Sequence, residues 1–168
     1  MRNLAFSSMF AALSVIVCVL GSFFSTMSLT ITAITGVISA VAVVQCGYKY
    51  AALTYAAASV LVFLFVPNRE CAVYYILFFG HFPIVKVFLE RIRSKVLRQS
   101  LKLVIGNILF ALILWILVHL IGIEENIAHK EVLILAGLFN AAFILYDVLL
   151  GRIVAIYIGK RLGKNGFR

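Results

Sequence analysis

The sequence predicts an all-α integral membrane protein with six transmembrane helices and both termini in the cytoplasm. Three observations carry that reading. First, 64% of the 168 residues are hydrophobic and only 12% are charged, and the mean hydropathy is +1.13. A water-soluble domain of this length must cover itself with polar side chains and cannot hide so much apolar surface. Second, the apolar residues fall into continuous runs of about 20, the length that spans a hydrocarbon core as a helix, with none of the alternation of a lumen-lining strand. Third, lysine and arginine collect on alternate turns, the pattern that orients multi-pass proteins.

The elements follow in order. The first span, about 4–25, opens behind Arg2 with "LAFSSMFAALSVIV". A cleaved signal peptide would begin similarly, but the apolar run continues to Phe24 and further spans follow at once. After "STMS" comes a second span, about 29–47, and after "CGYKY" a third, about 50–67. The turn "PNRE" precedes the fourth, about 71–92, where Pro83 lacks the N–H a helix needs and a kink is expected near Phe79–Pro83. The basic "RIRSKVLRQS" leads to the fifth, about 102–122, and "IEENIAHK" to the sixth, about 131–159. A helix that long runs roughly 45 Å against a core of ~30 Å, so it tilts, bends or projects its basic end. No polar stretch is long enough for a separate soluble domain, so residues 1–168 read as a single membrane domain.

With the N-terminus inside, eleven cations fall on the cytoplasmic side: Arg2, Lys49, Arg91, Arg93, Lys95, Arg98, Lys102, Lys160, Arg161, Lys164 and Arg168. Only Arg69 and Lys130 fall outside. The net charge of +9 therefore reads as topology and not as a nucleic-acid footprint. Cys18, Cys46 and Cys71 show no metal or disulfide spacing. No metal-ligating motif, cofactor loop or catalytic set is recognisable; "GKRLGKN" has the wrong glycine spacing and lacks the Ser or Thr of a phosphate loop. The expectation is a non-enzyme without cofactor or metal, any ATP hydrolysis residing in another subunit.

Polar groups inside the spans need a reason. On the fourth span His81 lies roughly 15 Å from the outer end and Lys86 roughly 22 Å; on the sixth, Asn140 and Asp147 lie roughly 13 and 24 Å deep. The matched depths of Lys86 and Asp147 suggest an intramembrane ion pair, with Glu90, one turn beyond Lys86, as the alternative partner. His81 and Asn140, with Tyr74, Tyr75, Arg69 and Glu70, surround one possible outward-facing pocket. The plainer reading has His81 taking a carbonyl freed by Pro83 and Asn140 joining helices. Ser7 with Ala11, and Ser8 with Ala12, form small-residue faces that let another helix approach closely.

Six helices in under 200 residues, cytoplasmic termini and "LAFSSMFAALSVIV" together resemble the substrate-binding S components of energy-coupling factor (ECF) vitamin transporters. That resemblance implies a bacterial plasma-membrane protein that captures a vitamin or related micronutrient from outside. It also implies docking, through the Ser7/Ala11 or Ser8/Ala12 face, on a T component driven by two ATPases. The chain departs from the family pattern where serine replaces the first alanine of that motif. The competing readings are a membrane scaffold similar to the rod-shape protein MreD, and a small proton-coupled carrier or intramembrane enzyme using His81, Lys86 and Asp147.

Overall fold

A computed structural model describes residues 2–24, 27–121 and 129–165, with side chains described for 3–24, 27–119 and 134–159. It is all-helical among those residues and has six helical segments long and apolar enough to cross a membrane. The elements are α1 (Arg2–Gly21), α2 (Ser28–Cys46), α3 (Tyr48–Phe65), α4 (Arg69–Tyr74), a π-helical stretch Tyr75–Phe79, α5 (Phe82–Leu89), α6 (Lys95–Ile121) and α7 (His129–Asn165). The fourth span comprises α4, the π-helical stretch and α5.

The turns explain the tight antiparallel course. Gly47 alone separates α2 from α3, at φ +84° and ψ 164°, a region open essentially to glycine. Its N–H also closes α2 by bonding the Val43 carbonyl at 3.0 Å. Asn68 starts α4 by accepting hydrogen bonds from the backbone N–H groups of Glu70 and Cys71. Its amide also donates to Ser28 Oγ at 3.2 Å, tying two turns together. One bundle end thus carries the 67–70 turn, and the other, the basic end, carries the turns at 47 and 90–94.

Each helix buries a stripe. On α1 the buried positions Ser7, Phe10, Ala11, Ser14, Cys18, Gly21 and Ser22 repeat at helical spacing, and they meet α2, α3 and α4. Cys18, Ala58, Val62, Cys71 and Tyr75 form one core; Phe78, Phe79, Phe82, Ile113, Leu117 and Phe143 form a second. On α7 the buried described side chains reduce to Phe143, Asp147 and Leu150, a single narrow line. Every other described position on α7 is at least partly exposed.

Three boundaries differ from the sequence reading. The fifth span starts at Lys95 and not near 102, because Ser94 caps it: Leu97 N–H donates to Ser94 Oγ at 3.4 Å and Arg98 N–H to Ser94 O at 3.0 Å. Only 90–94 of the basic segment is non-helical. The sixth helix is a continuous 37 residues, roughly 55 Å, and carries its basic end onward as helix. The fourth span is interrupted near Pro83, through a π-helical stretch and not at a single point. Gly80 N–H bonds Tyr75 O at 2.8 Å, five residues back, and a new helix opens with Pro83 in its first turn.

Candidate functional site

A cleft lies between the N-terminal end of α2, the π-helical stretch, α6 and α7. It holds about 320 Å³ and is walled by Phe78, Phe79, Phe110, Phe139, Leu117 and Leu138, with Tyr74 at its edge. An adjoining hollow of about 260 Å³ shares the Phe78, Phe79 and Phe139 walls and reaches Thr30 and Tyr146. The aromatic rings interlock: Phe78 meets Phe139 and Phe143 edge-on at 5.5 Å, and Phe110 stacks on Phe139 at 4.4 Å. The cleft occupies the half of the bundle nearest the 67–70 turn.

The π-helical stretch shapes this wall. One extra residue in a turn rotates the following side chains, so Phe78, Phe79 and Phe82 all face α6 and α7. Gly36 on α2 admits the close approach: a Cβ there would collide with the Tyr146 hydroxyl and stand 3.1 Å from Phe79 O.

The six residues expected to share a pocket do not converge. Tyr74 lines the cleft. Tyr75 points the other way and is fully buried among Cys18, Cys71, Ala58 and Val62. Asn140 is engaged with Asn107: the two amides exchange hydrogen bonds of 2.9 and 3.0 Å, and each donates to a carbonyl four residues back on its own helix. Asn107 went unremarked in the sequence because a single asparagine in an apolar run carries no sign of its partner. His81 packs at 5.9 Å against the Tyr55 ring, and its buried Nδ1 has no hydrogen-bond partner. Nearby, Tyr55 Oη donates to the Ile76 carbonyl of the π-helical stretch at 2.8 Å. Arg69 reaches Phe63, bonding its carbonyl at 3.3 Å, and borders a separate cleft of about 490 Å³. Glu70 lies half-buried in the first turn of α4.

Comparison with protein-family models, curated proteins and solved structures gives no match.

The second polar centre lies toward the basic end. Lys86 Nζ donates to Asp147 O at 2.6 Å and forms ion pairs with Asp147 Oδ1 at 2.7 Å and Glu90 Oε1 at 3.6 Å. Lys102 Nζ lies 3.0 and 2.8 Å from the two Asp147 carboxylate oxygens and 3.8 Å from Glu90. The two partners considered for Lys86 are both present. Lys102, assigned by the charge count to the membrane surface, is only 3% exposed. Gly151, one turn past Asp147, lies against the lysine head, where a Cβ would stand 3.5 Å from Lys86 Nζ, an ordinary contact distance. One carboxylate on α7 thereby joins α5 and α6. Among the described residues no cluster of His, Cys, Asp or Glu has the makings of a metal site.

The small residues of α1 divide. Ser7 is buried, with its hydroxyl 2.6 Å from Thr54 Oγ1 and donating to Tyr50 O at 3.0 Å, and Ala11 is buried beside it. That pair is spent on α3 of the same chain. Ser8 and Ala12 are exposed, along with Ala5.

Proposed function

We propose that this chain is the membrane-embedded substrate-binding subunit of an ECF-type importer. In this reading it sits in a bacterial plasma membrane with both termini cytoplasmic, and it hands its cargo to a T component driven by two ATPase subunits. The observation that carries the proposal is the aromatic-walled cleft among the second, fourth, fifth and sixth spans. Its volume is within the range of small-molecule pockets. It lies in the bundle half away from the arginine and lysine turns, which the positive-inside rule makes the outer half. The exposed Ser8/Ala12 face of α1 supplies the surface for a T component, now that Ser7 and Ala11 are occupied inside the chain.

The lining narrows the cargo. Apart from the Tyr74 hydroxyl and the neighbouring Thr30 and Tyr146, the walls carry hydrocarbon. A charged cargo would lose its hydration there without compensation, so the cargo is a largely apolar, uncharged micronutrient. Gentle purification followed by mass spectrometry of the extracted small molecules tests this. A stoichiometric, apolar, non-lipid compound is the expected result, as is capture of a T component and ATPases on co-expression. A protein that retains no such compound and captures neither subunit overturns the proposal and leaves a membrane scaffold as the reading.

A further inference from the structure

The basic end carries a concentration of positive charge that no carboxylate among the described residues neutralises. Arg91 and Arg93 are exposed in the 90–94 turn, and exposed Lys95 and then Arg98 follow in the first turn of α6. A contact between the Tyr48 and Phe88 rings, at 5.7 Å, draws the Gly47–Lys49 turn to the same place and adds exposed Lys49. The nearby carboxylates are Glu90 and Asp147, and both are turned to Lys86 and Lys102. Among the described residues, none of these five cations has a salt-bridge partner. No acidic residue occupies the first turn of α6, where one would suit the helix dipole and where Lys95 and Arg98 stand instead.

Among these cations lie exposed apolar side chains: Val96, 77% exposed, and Leu97 follow Lys95, and exposed Phe88 lies against Tyr48 and Arg91. Arg91 lies over the Phe88 ring at 5.4 Å, holding its guanidinium at the boundary between apolar and polar surface.

We propose that this patch binds the phosphate headgroup of an anionic phospholipid in the leaflet at the basic end. A juxtamembrane cluster of four or more cations draws anionic lipid through its charge. The apolar neighbours are what select a lipid over a free anion. Val96, Leu97 and Phe88 offer a surface for the glycerol and first acyl carbons, which inorganic phosphate lacks. The lipid supplies the negative charge that the first turn of α6 is missing. It thereby orders the 90–94 turn that joins the two lysine-bearing helices.

The experiment uses the full-length protein in a neutral detergent and native mass spectrometry. Phosphatidylglycerol, phosphatidylcholine and inorganic phosphate are titrated in turn. Phosphatidylglycerol should bind at least tenfold more tightly than phosphatidylcholine, and inorganic phosphate should not compete at equal concentration. The preference should vanish in Arg91→Gln/Arg93→Gln/Lys95→Gln. It should persist in Arg91→Lys/Arg93→Lys, and also in Arg69→Gln at the opposite end. Equal binding of the two lipids, an unchanged preference in the triple glutamine variant, or its loss in Arg69→Gln would each overturn the proposal. Competition by phosphate alone would also overturn it, since the site would then be one for a free anion.

Discussion

Replacing Asp147 by asparagine removes one charge and strands two. Lys86 and Lys102 are 6% and 3% exposed, and Asp147 is 7% exposed, so none can recover hydration by a small movement. Asp147 Oδ1 and Oδ2 receive both ammonium groups at 2.7–3.0 Å. After the change, the one remaining carboxylate near either lysine is Glu90, at 3.6 and 3.8 Å, with only neutral oxygens at residue 147. Removing one partner of a buried pair costs about 3–5 kcal/mol. For a chain of this length that corresponds to a fall in melting temperature of roughly 6–20 °C. Thermal melting in detergent, followed by size-exclusion recovery, reads it directly. Removing all the charges together, in Lys86→Met/Lys102→Met/Asp147→Leu, should return most of the loss, because well-packed apolar groups replace buried ion pairs at little cost. If Asp147→Asn melts with the parent protein, or the triple variant melts no higher than Asp147→Asn, the reasoning about this cluster is wrong.

Other outcomes follow from single contacts. Gly47→Ala should lose about 1–3 kcal/mol by the same melting assay although a Cβ there would touch nothing within 4 Å, because the cost is purely one of backbone conformation. Asn107→Ala and Asn140→Ala should each cost about 0.6–2 kcal/mol, with the double variant costing clearly less than the sum of the singles. Ala142→Trp, which fills the cleft from α7, should abolish retention of a small molecule while leaving the melting temperature near that of the parent; retention of the compound would place the cargo elsewhere. Ala11→Phe should destabilise the isolated chain through its contact with α3, whereas Ala12→Phe should leave melting unchanged and block only co-purification of partner subunits.

Much of the architecture was legible because its cause acts on each residue separately. Whether a side chain prefers hydrocarbon or water is local, so runs of about 20 apolar residues announce six spans without reference to neighbours. Turn chemistry is local as well: "CGYKY" and "PNRE" mark real turns, since Gly47 adopts a conformation few other residues accept and Asn68 supplies a cap. Pro83 announced an interruption of the helix, although not the π-helical stretch from Tyr75 to Phe79. The Ile76 carbonyl in that stretch accepts from Tyr55 of another helix.

Partner choice was not legible in the same way, because it depends on how each helix is rotated against the others. Adjacent residues on a helix point about 100° apart. Ser7 and Ser8 therefore look alike in the sequence, yet one bonds Thr54 and the other is exposed. Tyr74 and Tyr75 likewise separate to the cleft and to the opposite core. Depth along the bilayer did place Lys86 level with Asp147, since depth follows from counting residues. Lys102 was missed because its position near a basic turn gave it the look of a surface anchor, and only the antiparallel seating of α6 on α7 turns it inward. The sequence by itself determined the number of apolar helices, roughly where each lies, and how far along them polar groups such as Lys86 and Asp147 sit, all from one-dimensional counting of residues. Only the tertiary structure decided which of those groups meet, because meeting requires the azimuth of every helix, and azimuth is set by packing among all six.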